Sequence, residues 1–293
     1  MGNKDAIFKT LVYSDIFDYP LKKNEIYEFL IGKKKSQNSF NKLLYSTDYN
    51  AFLKGNYYCL LGRESIIKKR IQREKESESK LKIAQSIIKK ISFFPTILLI
   101  GISGALAMKN ADKNDDIDLF IITKENTLWI SRIFLILILK LMGSYRERED
   151  SDINNKICLN MFVSKDQMTL NKKRQNLYSA HEIVQMLPVF QRNNTYEQFL
   201  KANTWIARFL PNSLKGKRVD VPSKNDSFIT FLFVSVLHLL HLEFISKKIQ
   251  LYFINKHKTI ETISDTLLAF HPIDYNKQTI LRFEERLKIY EKI

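Results

Sequence analysis

The sequence predicts a mixed α/β protein of the α+β class, and three observations support this prediction. A continuous apolar run bounded by proline and glycine, residues 97–103, is typical of a buried strand. Apolar patterns with helical spacing lie on both sides of this run along the chain. With 293 residues and 45% hydrophobic content, the chain is long enough to bury a sizeable core.

Residues 1–62 predict a first module of three short helices followed by a β-hairpin. The helices are expected over residues 7–17, 23–32 and 39–45. The hairpin is expected around Lys54-Gly55-Asn56, a tight-turn signal between two apolar segments. This order resembles a winged-helix domain, whose third helix often enters a DNA groove. Because residues 39–50 contain a single cation, Lys42, docking to a protein or a structural role is an equally open alternative.

Residues 63–92 predict a basic connecting helix. Its cations form the cluster Lys68, Lys69, Arg70, Arg73 and Lys75. Such a cluster either binds phosphates or is a solvated helix face. The formal net charge of +16 favours weak nucleic-acid binding through a basic surface, or else reflects the composition of an A+T-rich genome.

The stretch from residue 97 to residue 123 carries the main functional signal. The strand ends at Ser103-Gly104-Ala105, where glycine permits a close backbone approach and a following helix presents N–H groups to an anion. Asp116 and Asp118 follow at positions i and i+2 of the next strand, so their side chains share one face. Two carboxylates directed at one point repel each other unless a cation lies between them, and Mg²⁺ prefers such oxygen ligands.

This arrangement over residues 95–165 resembles the polymerase-β-like nucleotidyltransferase superfamily, so residues 93–175 are predicted to be the core. The resemblance implies that Ser103, Gly104 and Ala105 hold the phosphates of an NTP donor. It also implies that Asp116 and Asp118 bind catalytic Mg²⁺, two ions in an active site, while a hydroxyl attacks the α-phosphate.

Two positions depart from the pattern of that superfamily. Ala105 stands where the superfamily usually has serine. The usual third acid lies on a later strand, here residues 156–163, whose inward positions are Cys158, Asn160 and Phe162. Asn160 is the candidate catalytic residue there, although its amide can bind a metal or orient a hydroxyl but cannot accept a proton. Replacement acids remain open; they are Asp150, Asp152 and Glu182.

Residues 176–293 predict a helical C-terminal domain. Helices are expected from residue 178 to just before Pro188, and over residues 195–209, 228–254, 259–270 and 276–293, with a polar linker at 213–226. Residues 128–142 predict a buried helix. Residues 227–245 are not expected to span a membrane, because His238, His241 and Glu243 interrupt them. No membrane partner is therefore expected. A membrane-associated protein that uses residues 227–245 is a third and weaker alternative.

The expected function is a Mg²⁺-dependent nucleotidyltransferase that moves a nucleoside monophosphate from an NTP to an unidentified hydroxyl. The acceptor is left open as a small molecule, a nucleic acid or a protein. The alternative is a catalytically degenerate, nucleotide-binding regulator whose winged helix binds DNA or a protein partner. The N-terminal residues lack the apolar core of a secretory signal, and the two cysteines lack zinc-site spacing, so a cytoplasmic location is expected.

Overall fold

The protein has the mixed α/β fold that its sequence predicts, as seen in a computed structural model. The structure describes residues 4–45, 51–214, 221–256, 262–270 and 275–290. The α-helices in these ranges are α1 (Lys4–Asp15), α2 (Lys23–Glu28), α3 (Gln37–Tyr45), α4 (Ser65–Ile91), α5 (Gly104–Ala107), α6 (Leu128–Leu141), α7 (Leu177–Gln185), α8 (Thr195–Ala202), α9 (Phe228–Leu239), α10 (Leu242–Asn255) and α11 (Tyr275–Tyr290). The strands are β1 (Leu21–Lys22), β2 (Ala51–Lys54), β3 (Tyr57–Leu60), β4 (Ile97–Ile102), β5 (Ile117–Thr123), β6 (Ile157–Ser164), β7 (Leu187–Arg192), β8 (Ser223–Lys224), β9 (Thr262–Ile263) and β10 (Leu267–Ala269).

The strands form two sheets. A three-stranded antiparallel sheet has the order β1-β3-β2, and a mixed seven-stranded sheet has the order β8-β7-β4-β5-β6-β10-β9. Within the larger sheet, β5 runs antiparallel to β4 and parallel to β6, with Asp118 opposite Cys158. Asp118 therefore lies on the middle strand of the larger sheet.

The two faces of β5 are covered by different elements, because its side chains alternate. Leu119 and Ile121 are buried in a cluster that includes Trp129 of α6. Phe120 is buried on the opposite face in a cluster with the N-terminal helices and α7. Full burial of each such side chain contributes about 1.5–3 kcal/mol. Asp118 has the same parity as Phe120, so its side chain faces the N-terminal helices and α7.

The N-terminal region contains the predicted three helices and hairpin, together with the short strand β1, which pairs with β3. The second helix ends at Glu28, four residues earlier than predicted. Ile7 and Leu11 of α1 share one hydrophobic cluster with Leu98 of β4 and Val184 of α7. The core is therefore continuous across residue 62, where the sequence predicts a domain boundary.

Three basic residues of the cluster in α4, Lys69, Arg70 and Arg73, form ion pairs with carboxylates of the protein. Arg70 is 2% exposed, forms ion pairs with Glu25 (3.0 Å) and Glu74 (2.9 Å), and stacks over the ring of Tyr19 at 3.7 Å. The cost of burying a cation explains these partners, since a buried charge is stable only when it is paired. The interpretation of this cluster as a solvated face is therefore wrong for Arg70.

The middle of α4 holds the loop that precedes β5. Lys80 is 3% exposed, and its ammonium donates to the carbonyl of Asp115 (2.6 Å) and to the side chains of Asn154 (2.9 Å) and Asn155 (3.2 Å). The hydroxyl of Ser77 accepts a hydrogen bond from the backbone N–H of Ala111 (3.1 Å). These bonds fix the backbone immediately before Asp116.

Three strands lie where the sequence predicts a helix or leaves the chain unassigned. The prediction of a helix over residues 259–270 is wrong in the described part, which contains β9 and β10; residues 259–261 lie outside the described ranges. The strand β7 directly follows α7 and includes Pro188, opposite Gly101 of β4. On its other side, β7 pairs with β8 only at Gln191 and Arg192, so the missing N–H of proline costs no ladder bond there.

The predicted helix over residues 228–254 consists of two helices, α9 and α10. The break lies at His241, whose backbone is left-handed (φ 50°). No single described helix is long and apolar enough to cross a membrane; α9 and α10 meet these criteria only as a pair, bent by 62°. Part of the predicted linker, residues 215–220, lies outside the described ranges, as do residues 271–274.

Candidate functional site

The turn after β4 brings its backbone against the acid strand β5. Gly104 has a positive φ of 64°, a conformation that L side chains rarely adopt. A Cβ atom at this position would lie 2.7 Å from Oδ2 of Asp118. The N–H of Ser103 also donates to the carbonyl of Asp118 (3.0 Å). Glycine is therefore required here both by the backbone angle and by the neighbouring carboxylate.

The two predicted acids converge on one point, together with a thiol. A carboxylate oxygen of Asp116, one of Asp118 and the sulfur of Cys158 all lie within 4.8 Å of one another. Asp116 directly precedes β5, and Asp118 is the second residue of that strand. Cys158 lies beside Asp118 on the parallel strand β6. The spacing of the two acids therefore does place their side chains together.

Asp116 already has a cationic partner in Arg146. Their ion pair measures 2.6 Å between Nη1 and Oδ2, and the same nitrogen lies 3.6 Å from Sγ of Cys158. The backbone N–H of Arg146 donates to the carbonyl of Ile157 (3.0 Å), which ties its loop to the start of β6. Arg146 therefore neutralises one of the two acids.

Asp118 is held in a different electrostatic state. Burial, followed by the charge of Asp116, raises the pKa of Asp118 to about 7. The nearby guanidinium of Arg146 opposes this shift. Near neutral pH, Asp118 is therefore only partly ionised, and a bound cation would favour its ionised form.

A third carboxylate reaches the site from α7. Glu182 lines the same cavity as the two aspartates, and burial, followed by the charge of Asp118, raises its pKa to about 7. Its carboxylate has no hydrogen-bond or ion-pair partner among the described residues. The other two candidates lie elsewhere: Asp150 pairs with Lys156 (2.9 Å), and Asp152 is exposed. Of the three replacement acids left open by the sequence, Glu182 is the one at the site.

His181, the neighbour of Glu182, has a packing role. Its ring stacks on Tyr13 of α1 at 4.2 Å, and its Nδ1 lies 3.1 Å from the side-chain nitrogen of Gln185. Burial lowers its pKa to about 3, so the imidazole is neutral. His181 therefore anchors α7 to α1 and does not act as a partner of Glu182.

The donor atoms fit a hard divalent cation such as Mg²⁺. Asp116 and Asp118 provide carboxylate oxygens, the ligands that Mg²⁺ prefers. Burial and the two adjacent acids raise the pKa of the Cys158 thiol. Sulfur is a soft ligand, so Cys158 suits Mg²⁺ less well than the two carboxylates do. Asn160 of β6 lines the cavity with the acids and provides a further amide oxygen.

Two cavities meet beside the aspartates, at Glu182. The first, of about 450 Å³, is lined by Asp116, Asp118, Gly104 and Ala105 and by aromatic residues of the N-terminal region. The second is a wider cleft of about 860 Å³, lined by Ser103 and by three cations, Lys173, Arg174 and Lys277. The residues shared by both are Asn160, Tyr178, Glu182 and Tyr275.

The hydroxyl of Ser103 stands out among the predicted phosphate-binding residues. Its oxygen is buried and has no hydrogen-bond partner among the described residues. An unsatisfied buried hydroxyl costs about 1–3 kcal/mol, so it is a group that a ligand would satisfy. Gly104 and Ala105 line the first cavity, so the turn borders both spaces.

Several residues of the site carry no signal in the sequence. One wall of the first cavity consists of aromatic residues of the N-terminal region; they are Tyr13 of α1 and Phe17, Tyr19 and Phe29 of the segments that follow α1 and α2. Their positions depend on packing between segments about one hundred residues apart. Arg146 lies in a loop among other charged residues, and nothing in its spacing singles it out.

Comparison with family models, with curated proteins and with solved structures found no match for this chain. The geometry and chemistry of the residues themselves are therefore the basis for a functional assignment.

Proposed function

We propose that this protein is a Mg²⁺-dependent nucleotidyltransferase that moves a nucleoside monophosphate from an NTP to an acceptor hydroxyl. The observation that carries this proposal is the convergence of the carboxylates of Asp116 and Asp118 beside the glycine turn at Gly104. The resemblance of residues 95–165 to the polymerase-β-like nucleotidyltransferases supports the same assignment.

Different residues of the chain would bind the metal and the phosphates. Asp116 and Asp118 would hold the metal, which when bound would neutralise phosphate charge and polarise the α-phosphate. Ser103, whose buried hydroxyl has no partner among the described residues, lines the wider cleft, and the cations of this cleft are suited to phosphate oxygens. The donor's triphosphate would therefore lie in the wider cleft, against the turn.

Glu182 is suited to accept the proton of the attacking hydroxyl. In the transfer, the acceptor oxygen forms a bond to the α-phosphorus, and the bond from that phosphorus to the β-phosphate oxygen breaks, which releases pyrophosphate. The hydroxyl proton would pass to Glu182, whose pKa of about 7 matches a general base at neutral pH. Asn160 would orient the hydroxyl through its amide oxygen, because it cannot take the proton.

The first cavity would hold the acceptor. Its volume of about 450 Å³ is in the range of small-molecule sites, and aromatic side chains form its wall. We propose a small molecule as the acceptor in preference to a nucleic acid or a protein. In this proposal the N-terminal region contributes a wall of the active site.

A second candidate function has one observation in its favour, the ion pair between Arg146 and Asp116. A guanidinium that permanently neutralises Asp116 would suit a degenerate site that binds nucleotide without transferring it. In that case the protein would be a regulator that senses a nucleotide. Binding of an NTP without pyrophosphate release over every acceptor class would favour this candidate.

The test follows pyrophosphate release from each of the four NTPs in the presence of Mg²⁺ and sets of hydroxyl acceptors. The variants Asp116→Asn and Asp118→Asn should each abolish release while retaining the fold. Asp152→Asn, which changes an exposed aspartate outside the site, is the matched control and should retain activity. Full activity in either active-site variant would contradict the proposal.

A further inference from the structure

The helix α9 exposes apolar side chains around most of its circumference. Of its twelve residues, Thr230 and Leu237 are buried, whereas Phe228, Ile229 and Leu239 are more than three-quarters exposed. A helix that is apolar all round is normally found in a protein core or in lipid. Here the described residues of the chain leave most of this helix uncovered.

The helix α10 has its polar and apolar sides reversed relative to a surface helix of a soluble protein. Its inward face carries Glu243, Ser246 and Gln250, at spacings of three and four residues. Glu243 accepts hydrogen bonds from the backbone N–H groups of Trp129 and Ile130 at the start of α6, both at 2.8 Å. These contacts hold α10 against α6 through polar groups.

Further polar contacts complete this inner face. The side chain of Gln250 donates to the carbonyl of Trp129 (2.8 Å) and accepts from the guanidinium of Arg132 (2.7 Å). Five apolar side chains of α10 point outward and are substantially exposed; they are Phe244, Ile245, Ile249, Tyr252 and Phe253. Two others, Leu251 and Ile254, pack inward against the cluster that contains Trp129. Polar residues turned inward and apolar residues turned outward are the arrangement expected of a helix that faces lipid.

The exposed apolar area is larger than monomers in water usually present. The six exposed aromatic side chains of α9 and α10 together expose on the order of 700 Å², whereas ordinary exposed patches measure a few hundred Å². One side of a standard protein interface is of similar size, about 800 Å². A single flat partner covers one face of a helix, however, and α9 is exposed on most of its faces.

The charges around these helices favour an anionic surface. Residues 227–256 contain one acidic residue, Glu243, which is turned inward onto α6. The exposed charges are cations: Lys248 extends over the ring of Phe244 at 4.4 Å, and Lys256 over Tyr252 at 4.3 Å. Long cationic side chains that lie along aromatic rings in this way can place their ammonium groups among lipid headgroups.

The length of the helices limits how they could meet a bilayer. The twelve residues of α9 extend about 18 Å, which is less than the roughly 30 Å of the hydrocarbon core. The bend of 62° directs α10 away from the axis of α9. This geometry suits helices that lie within one leaflet.

We propose that α9 and the outward face of α10 form a surface that binds an anionic lipid bilayer, with α9 inserted among the acyl chains. Lys248 of α10 and Lys256, which directly follows this helix, would contact the headgroups. This inference does not depend on the proposed transferase function, because none of the residues in α9 or α10 lines either cavity.

The test is flotation of the full chain with vesicles of phosphatidylcholine, with and without phosphatidylglycerol. The wild type should float with the anionic vesicles. Leu232→Glu, at a residue 54% exposed on α9, should weaken binding by about tenfold or more. The matched control is Leu61→Glu, at a leucine 51% exposed near the N-terminal hairpin, and it should bind like the wild type.

A second pair of variants tests the charge. Lys248→Ala should weaken binding to anionic vesicles about fivefold, since a lysine near such a surface contributes on the order of 1 kcal/mol. Lys42→Ala, at an exposed lysine of α3, is its control. If Leu232→Glu does not fold, Ile229→Glu replaces it, because Ile229 is 76% exposed.

Three results would overturn the proposal. The first is a wild type that fails to float with anionic vesicles. The second is a Leu232→Glu variant that floats as well as Leu61→Glu. The third is a wild type that sediments as a dimer, dissociates on Leu232→Glu substitution and does not bind vesicles, since a second copy of the chain would then cover α9.

Discussion

Replacing Asp118 with asparagine should stabilise the metal-free protein, and the gain should grow with pH. The pKa of Asp118 is raised from 3.8 to about 7 in the folded state, so folding disfavours its ionised form. Stability attributable to this group is therefore greatest below about pH 4, falls as pH rises to about 7, and stays low above that. The asparagine variant has no such ionisation and avoids this loss.

The size of the stability gain follows from the pKa shift of Asp118. A shift of roughly three pH units corresponds to about 4 kcal/mol at 1.36 kcal/mol per unit. The carboxylate of Asp118 borders a cavity, and part of its pKa shift comes from the charge of Asp116. We therefore reduce the expected gain in stability to about 2 kcal/mol. Some pH dependence should remain in the variant, since the pKa of Glu182 is also raised.

The assay is urea denaturation in EDTA, at about pH 4.5 and about pH 8, of the wild type, Asp118→Asn and the exposed control Asp152→Asn. The difference in unfolding free energy between Asp118→Asn and the wild type should be larger at the higher pH. For Asp152→Asn, it should be near zero at both. A variant that is less stable than the wild type at both values, or a difference that does not change with pH, would refute the electrostatic reasoning.

Three further predictions concern single residues. Gly104→Ala should lower the free energy of unfolding by about 1–2 kcal/mol because of the positive φ at this position. It should also displace the carboxylate of Asp118, so nucleotide binding should be lost. The control Gly55→Ala, with φ 59° and open space around it, should lose similar stability in denaturation without the loss of binding. Glu182→Gln should lower kcat and remove the fall in rate below about pH 7, as a pH–rate profile would show. Glu243→Ala should reduce stability by about 1–3 kcal/mol in chemical denaturation, because it leaves the backbone N–H groups of Trp129 and Ile130 without their acceptor.

The central part of the fold could be predicted because its signals are local. The apolar run of β4, the glycine turn and the acids before and in β5 lie within 27 consecutive residues, 97–123. Strand alternation then places Asp116 and Asp118 on one face without any knowledge of the rest of the chain. The structure brings the two carboxylates together as this spacing predicts.

The later strands could not be predicted, because their signals are weak and their pairing is non-local. The strand β10 has three residues and pairs with β6, which is about one hundred residues earlier in the chain. In β7, Pro188 reads as the end of the preceding helix and conceals the strand that contains it. Only the position of a neighbouring strand decides such cases.

The residue that provides the third acid could not be predicted, for the same reason. Nothing in the sequence distinguishes Glu182 from Asp150 or Asp152, because the direction in which α7 faces depends on how its buried side packs. That packing includes the stack of His181 on Tyr13, which joins segments far apart in the chain. The burial of Arg70 likewise depends on distant partners.

The measurement that tests the central claim most directly is calorimetric titration of each NTP into the wild type and into the Asp116→Asn/Asp118→Asn double variant, with and without Mg²⁺. We expect at least one NTP to bind the wild type in the presence of Mg²⁺, and this binding to be lost in EDTA and in the double variant. Binding that is equally strong without metal, or unchanged in the double variant, would contradict the assignment of these carboxylates as the metal site.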